Sequence, residues 1–519
     1  MTHYDYVVIG AGSAGCVVAN RLTEDPETTV LLLEAGGPDT KPEIHVPVEF
    51  PNLFGSEVDW AYFTEEEPHL NGRKIFCPRG KVLGGSSSIN VMIYIRGNHH
   101  DYDRWQEFGN RGWSYQDVLP FFQKSENQQR GASQFHGVGG LLSVTDPIAP
   151  SPVSQSFIEA AVAMGYERNP DFNGAQQEGA GLYQLTVKDG KRHSAAAAFL
   201  LPILNRPNLT IATEALVTQL LFEGTRTVGV EYLHNGTMHQ SFVNQEVILS
   251  AGAFDSPKVL MLSGIGPAEH LRELGIPAIV DLPGVGQNLQ DHQYVQVGYQ
   301  ATQDLQPAAT SNVAEAGLFV HTEASRDVTP DLQLSCGPVL WMQLESLRAN
   351  WGFTFAPVAT HCYSRGSISL RLPSPKDRPL IRMNYLQNEK DMQVLVEGIK
   401  ISRQIAYSGA FDKLLGEEVA PGGSVTSDEA IRAYIRKACE TAHHPVGTCK
   451  MGVDESAVVD PELRVHGVDG LRVVDASIMP TLTTGNTNAP TIMIGEKAAD
   501  LIKAAGRTPQ QELEFTKLS

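Results

Sequence analysis

Apolar runs alternate with a helical pattern from the start of the chain. Residues 4–9 (YDYVVI) and 29–33 (TVLLL) are short and rich in β-branched or leucine side chains, which is typical of buried parallel strands. Residues 13–22 between them have a helical pattern. Further along, residues 246–253 (EVILSAGA) again predict an apolar strand, and residues 391–407 (DMQVLVEGIKISRQIAY) predict an amphipathic helix.

The composition is that of a soluble, globular protein. Its 519 residues exceed what one hydrophobic core usually supports, so two domains are expected. A formal net charge of −19 argues against nucleic acid as a partner, because a phosphate-binding surface needs a basic excess. The six cysteines are scattered without a C-x-x-C pair and are interpreted as free thiols.

No integral membrane segment is predicted, since no run approaches the roughly 20 apolar residues that a membrane helix needs. The first residues run straight into a strand without a signal-peptide pattern. We therefore expect a cytoplasmic protein and leave peripheral contact with a membrane open.

A glycine-rich turn joins the first predicted strand to the helical stretch. Gly10, Gly12 and Gly15 form a G-x-G-x-x-G pattern, and Glu34 ends the next strand. The glycines allow a tight turn, close approach of a pyrophosphate and close helix–strand packing, and the helix N-terminus attracts phosphate. The acid accepts hydrogen bonds from ribose hydroxyls. This pattern predicts a dinucleotide site that disfavours NADP and leaves NAD and FAD open.

Two histidines stand together in CETAHHPVGTCKMG, residues 439–452. Metal ligation, catalysis by one histidine and simple packing are the alternatives. Pro445 pushes His444 toward an extended backbone, in which successive side chains point to opposite faces. Only one of His443 and His444 is therefore expected to face a site. The spacing to Cys449 matches no common zinc framework, so no metal site is predicted.

Two longer segments resemble a known family. Residues 80–103 (GKVLGGSSSINVMIYIRGNHHDYD) and 252–266 (GAFDSPKVLMLSGIG) resemble, position for position, the two signature patterns of the glucose–methanol–choline (GMC) oxidoreductases. This is a family of FAD-dependent alcohol oxidases and dehydrogenases. The motifs PGVGQNLQDH, HPVGTCKMG and GNTNAPTIMIGEKAADLI extend the resemblance over nearly the whole chain, which is most similar to the bacterial choline, sorbose and alkanol dehydrogenases.

The resemblance implies an α/β fold of two domains. One is a doubly wound, Rossmann-like FAD-binding domain, and the other is an α+β substrate domain with a six-stranded antiparallel sheet. Residues 1–150, 210–295 and 465–519 are assigned to the FAD-binding domain. Residues 151–209 and 296–464 are assigned to the substrate-binding domain.

The resemblance also implies which residues hold FAD. Ile89 stands where choline oxidase-like members carry a histidine that bonds covalently to the flavin, and isoleucine has no nucleophile. FAD is therefore expected to bind noncovalently. The positions carried over are Gly10, Gly12, Ser13, Ala14, Gly15, Glu34, Val82, Gly85, Ser86, Asn90, Val91, Val217, Ala251, Asp475, Ala476, Asn488 and Thr491.

By the same resemblance, His444 occupies the position of the family's catalytic base. A neutral imidazole can take the hydroxyl proton while a hydride passes from carbon to flavin N5. Asn488 aligns opposite the base as a second catalytic residue, with a helix N-cap as its alternative role. Glu315 aligns with the acid that neutralises trimethylammonium in choline-oxidising members. His443 replaces an aromatic residue and is a second candidate for substrate binding, with packing as its alternative.

The function implied is the oxidation of a small-molecule alcohol to an aldehyde or ketone. Oxygen or a quinone-type acceptor would reoxidise the flavin, and the alcohol and the oligomeric state stay open. A hydroxynitrile lyase without net redox is the main alternative. A fatty-acid photodecarboxylase and a silent flavin-binding protein are further ones, against which His444 argues. Asp291 and His292 in NLQDH are interpreted as structural links rather than catalysts.

Overall fold

Two large β-sheets form the framework of the molecule. The computed structural model describes residues 2–323, 325, 327–341 and 351–506. The strands of the two sheets, in chain order, are β1 (Thr2–Ile9), β2 (Val30–Leu33), β3 (Gly179–Leu182), β4 (Leu209–Ala212), β5 (Ala215–Glu223), β6 (Arg226–His234), β7 (Thr237–Leu249), β8 (Gln293–Tyr294), β9 (Val297–Ala301), β10 (Ala316–Val320), β11 (Leu332–Gly337), β12 (Gly352–Ala359), β13 (Leu415–Ala420), β14 (Glu440–Thr441) and β15 (Leu471–Val473).

Helices pack around both sheets. The α-helices of the described residues are α1 (Ser13–Leu22), α2 (Pro42–His45), α3 (His99–Glu107), α4 (Tyr115–Ser125), α5 (Pro152–Ala163), α6 (Gly252–Leu262), α7 (Ala268–Glu273), α8 (Glu389–Ala406), α9 (Asp428–Ala438) and α10 (Asn488–Ala505). In this part of the chain, no helix combines the length and the apolar character that crossing a membrane requires.

The first sheet has seven strands in the order β4-β2-β1-β7-β6-β5, with β15 beside β7. Parallel pairs join β4, β2, β1, β7 and β15, whereas β5, β6 and β7 form an antiparallel meander. The apolar runs at the ends of β1 and β2 are buried, as expected of parallel strands covered on both faces. The predicted doubly wound α/β architecture is confirmed.

The second sheet is antiparallel and follows the order β13-β9-β12-β11-β10-β3. This path is the predicted six-stranded sheet, and the two-residue strands β8 and β14 extend it. Every residue of β11 and β12 is buried, and α5 and α8 pack on this sheet. The predicted limits of the two domains stay a prediction, and residues 507–519 lie outside the described part of the chain.

The short strands β8 and β14 bring two distant motifs together. They pair antiparallel, with Gln293 opposite Thr441. Asp291 and His292 directly precede β8. One residue, Ala442, separates the end of β14 from His443 and His444. The NLQDH and HHP motifs therefore meet at one edge of the second sheet.

Candidate active site

A cavity of about 600 Å³ contains most of the predicted site residues. The turn between β1 and α1 and the end of β2 line one part of it. Residues from the loop 78–93, from β12 and from the segments 442–445 and 475–491 line the rest. One continuous space therefore joins the dinucleotide turn to the paired histidines.

The turn between β1 and α1 has the geometry that its glycines predict. Gly10 has φ = 95°, a conformation that favours glycine. A Cβ added to Gly15 would overlap the carbonyl oxygen of Gly10, whereas a Cβ on Gly12 would meet no atom within 4 Å. Gly15 thus allows α1 to pack closely on the strand, and Gly12 leaves the backbone open to the cavity.

Two buried carboxylates lie in the cavity wall. Glu34 accepts hydrogen bonds from the N–H groups of Ala11 at 2.9 Å and Gly36 at 2.8 Å. Burial raises the pKa of Glu34 to about 7, although these two bonds oppose the rise. Asp475 accepts a hydrogen bond from the Ser256 hydroxyl at 2.6 Å, and burial raises its pKa as well. Both oxygens of Glu34 and Oδ1 of Asp475 keep a further lone pair that can accept from a ligand hydroxyl, whereas Asp475 Oδ2 also accepts from the Gly252 N–H.

Fifteen of the seventeen predicted cofactor positions line the cavity. They are Gly10, Gly12, Ser13, Ala14, Glu34, Gly85, Ser86, Asn90, Val91, Val217, Ala251, Asp475, Ala476, Asn488 and Thr491. Gly15 and Val82 lie behind the wall, where Val82 belongs to a small apolar cluster with Val58 and Ile89. Ile89 itself reaches the cavity and presents only hydrocarbon to it.

His444 is held from three sides. Its backbone N–H donates to Asp291 Oδ1 at 2.7 Å. Its ring Nδ1 lies 2.9 Å from His292 Nδ1, and its ring Nε2 lies 3.1 Å from Asn486 Nδ2. Burial lowers the pKa of His444 well below its ordinary value. The ring is therefore neutral at pH 7, with its orientation fixed at both nitrogens.

His443 also lines the cavity, which differs from the expectation that only one histidine of the pair faces a site. The reason is its backbone: φ is 68° at His443, so the segment is not extended and its side chains do not alternate. The ring lies edge-on to Phe54 at 5.5 Å, and its Nδ1 is buried without a hydrogen-bond partner among the described residues. The carbonyl of His443 accepts from the Arg79 guanidinium at 2.6 Å.

The amide opposite His444 belongs to Asn486, which corrects the position predicted for Asn488. Asn488 Oδ1 instead accepts a hydrogen bond from the Ser13 hydroxyl at 2.7 Å and so joins the starts of α1 and α10. Asn488 is the first residue of α10, and Thr487 occupies the N-cap position. The junction of loop and helix lies between the two asparagines, so their amides face different parts of the cavity.

Asp291 and His292, interpreted from the sequence as structural links, contact His444 directly. The Asp291 carboxylate accepts from the His444 backbone N–H and from the hydroxyls of Tyr385 and Thr441. His292 is fully buried and faces the His444 ring. Sequence reasoning missed this contact, because it depends on the pairing of β8 with β14.

Glu315 does not line the cavity, and its role in substrate binding stays a prediction that this placement does not favour. Its carboxylate accepts hydrogen bonds from the Ser151 N–H at 2.7 Å, the Ser154 hydroxyl at 2.7 Å and the Ser311 hydroxyl. The residue is 1% exposed. The two preceding residues, Val313 and Ala314, line the cavity, and the acid lies behind that wall.

The donors and acceptors of the cavity fit FAD. The open backbone at Gly12 and the N-terminus of α1 suit a pyrophosphate, and Glu34 suits ribose hydroxyls. The α10 helix has no side-chain cap at its N-terminus, and its first residue lines the cavity. The Ser250 hydroxyl oxygen is buried without a partner among the described residues and also lines this space.

Comparison with known proteins gives a consistent family. Two family models described as GMC oxidoreductase match residues 4–294 and 362–495. The chain is 46% identical to an alcohol dehydrogenase [acceptor] of Pseudomonas putida, over 96% of this chain and 95% of the relative. It is 44% identical to the mitochondrial choline dehydrogenase of Homo sapiens, over 96% and 90%. The crystal structure of pyridoxine 4-oxidase from Mesorbium loti superposes with a TM-score of 0.91 and 35% identity, over 96% and 98%.

Proposed function

Because this chain belongs to the GMC family of FAD-dependent alcohol oxidoreductases, we propose that His444 is the base and Asn486 the hydroxyl-binding residue of its reaction. The product is an aldehyde or ketone. The observation that carries the assignment is the 3.1 Å approach of His444 Nε2 and Asn486 Nδ2 in the wall of the cavity that contains the dinucleotide turn.

An alcohol oxygen that displaces the direct contact between these two nitrogens, and lies within hydrogen-bond distance of both, meets a proton acceptor and a hydrogen-bond donor. Asn486 Nδ2 donates to the oxygen and stabilises the negative charge that develops there, while His444 Nε2 accepts the hydroxyl proton. FAD, when bound, supplies the two-electron acceptor that takes the hydride from the carbinol carbon. The O–H bond and one C–H bond break as the carbonyl forms.

The surroundings of His444 keep it in the form that accepts a proton. Burial is the largest cause of its lowered pKa, and the positive charge of the neighbouring Arg79 lowers the pKa further. A base with a lowered pKa stays neutral as the pH falls to the ordinary histidine range. The oxidation rate should therefore not decline with falling pH until the solution is more acidic than that range.

We propose a neutral alcohol with an apolar body as the substrate class. Apolar side chains of Val313, Ala314, Leu340, Trp341 and Val358 line the cavity. Glu315, which aligns with the choline-binding acid of relatives, lies behind this wall and accepts three hydrogen bonds from serine donors. Among the described residues, three carboxylates line the cavity: Glu34 and Asp475 in the cofactor region, and Asp255 on α6. Asp255 accepts a hydrogen bond from the Tyr62 hydroxyl.

The proposed acceptor is a quinone-type compound rather than oxygen. The similarity to the P. putida alcohol dehydrogenase [acceptor] supports this choice. The hydroxynitrile lyase alternative gains no support, since the three proteins compared above are named as two dehydrogenases and an oxidase. A cytoplasmic location stays a prediction, which fractionation of the native cells tests.

The test is anaerobic reduction of the bound flavin by a panel of alcohols. Medium alkanols and benzyl alcohol should bleach the flavin absorbance, and choline should do so far more slowly. Admitting air should restore the colour slowly and adding a quinone should restore it rapidly. Rapid bleaching by choline would contradict the substrate class, and rapid recovery in air would contradict the choice of acceptor.

Two histidine variants separate the base from its neighbour. His444→Asn should lower the rate of bleaching by about 10²–10⁴-fold, the usual contribution of a general base. His443→Asn, in which asparagine tolerates the left-handed backbone, should alter KM more than the bleaching rate. Equal losses of bleaching rate in both variants would contradict the assignment of His444.

A further inference from the structure

The ring of the proposed base is held by a second histidine. His292 Nδ1 lies 2.9 Å from His444 Nδ1, and the two ring planes are nearly perpendicular at 87°. On its other side, His292 Nε2 lies 3.1 Å from the carbonyl oxygen of Thr360. The neighbouring carboxylate of Asp291 contacts the backbone N–H of His444 and not its ring.

The protons along this chain of contacts can be assigned by elimination. A carbonyl oxygen can only accept, so His292 Nε2 carries a proton and donates it to Thr360. A neutral imidazole protonated at Nε2 has a lone pair at Nδ1. The 2.9 Å contact is then a hydrogen bond only if His444 Nδ1 carries the proton and donates.

The same assignment leaves His444 Nε2 without a proton. Its lone pair points to Asn486, whose amide Nδ2 lies at 3.1 Å and donates to it. Each contact from Thr360 to Asn486 then joins one donor to one acceptor. In the part of the chain that the structure describes, no other hydrogen bond to His444 Nδ1 is present.

We propose that His292 is a positioning residue that selects the Nδ1-protonated tautomer of His444 and so leaves Nε2 unprotonated, able to take the substrate proton once the alcohol displaces the Asn486 amide. The proposal rests on the proposed function of His444. A neutral histidine fixes the tautomer without placing a negative charge beside the ring. Burial lowers the pKa of His292 to about 3, so His292 stays neutral and keeps its lone pair through the physiological range.

The direct test is the tautomeric state in the flavin-loaded wild-type protein. Deuterated protein labelled with ¹⁵N in its histidines gives separate nitrogen resonances for protonated and unprotonated ring positions, and the spectrum of His444→Asn identifies the signals. We expect a protonated Nδ1 and a bare Nε2 for His444, and the reverse for His292. A proton on Nε2 of His444 would overturn the proposal.

Two variants test its consequence for the rate. His292→Leu removes the acceptor, so the limiting rate of flavin reduction should fall about 10- to 100-fold with little change in KM, because a buried N–H without an acceptor disfavours the reactive tautomer. His292→Asn places an amide oxygen near the former Nδ1 and should keep the rate within about 5-fold of wild type. Equal losses in both variants, or no loss in either, would contradict the proposal.

The outcomes separate this proposal from the proposed function. If no alcohol reduces the wild-type flavin, the proposed function fails, while the nitrogen spectrum still decides the tautomer. If a variant does not fold or retain flavin, as judged by circular dichroism and visible absorbance, the wild-type spectrum alone decides. A bare Nε2 in the wild type supports the proposal in either case.

Discussion

Replacement of Glu315 should affect stability and leave substrate recognition unchanged. The Glu315 carboxylate contacts the first turn of α5, where it accepts from the N–H of Ser151 at the N-cap and from the Ser154 hydroxyl, and it also accepts from Ser311. A negative charge at a helix N-terminus is stabilising. Glu315→Leu removes this acceptor, and Glu315→Gln keeps its shape and one oxygen.

The expected magnitudes follow from these contacts. Leaving a buried donor without its acceptor costs about 1–3 kcal/mol, and the buried N–H of Ser151 cannot turn to another acceptor as the serine hydroxyls can. Glu315→Leu should therefore destabilise the fold by about that amount. In Glu315→Gln, the amide oxygen still accepts from Ser151 and the amide nitrogen donates to the Ser311 hydroxyl, so a loss of about 1 kcal/mol is expected.

The assay is urea unfolding of the FAD-loaded protein, followed by circular dichroism and by the fluorescence of released flavin. The unfolding midpoint should fall strongly for Glu315→Leu and slightly for Glu315→Gln. For Glu315→Gln, KM for the best alcohol of the panel, and for choline if it is oxidised, should stay near the wild-type value. A tenfold or larger rise in KM for choline at an unchanged unfolding midpoint would refute our placement of Glu315 behind the cavity wall.

Three further predictions concern the cavity. Asn486→Leu should lower the rate of flavin reduction about 10²-fold by removing a donor to the developing alkoxide, whereas Asn488→Leu should mainly weaken FAD retention; equal kinetic losses would contradict the assignment. Gly15→Ala should reduce soluble expression, because the added Cβ overlaps backbone atoms. Gly12→Ala should still fold but should bind FAD poorly, as measured by the ratio of flavin to protein absorbance. Acid precipitation should leave all flavin in the supernatant, since Ile89 has no nucleophile; colour in the precipitate would contradict noncovalent binding.

Local patterns were sufficient to predict the dinucleotide turn and the class of fold. A short apolar strand, three spaced glycines and an acid after the next strand have few structural solutions, because the turn requires φ = 95° at Gly10 and close packing at Gly15. These constraints act within about thirty residues of chain, as the βαβ unit does. The identity of the family was visible for the same reason, since its motifs are continuous segments.

Only the tertiary structure decided which side chains meet at the site. His292 and His444 are 152 residues apart in the chain, and the pairing of β8 with β14 brings them together. Asn486 rather than Asn488 faces the base because the loop–helix junction separates the two amides. Glu315 is turned away by donors of Ser151 and Ser154 at the start of α5, together with the neighbouring Ser311. Side-chain direction at such places depends on strand register, on a left-handed φ at His443 and on distant partners, and none of these is a local property of the sequence.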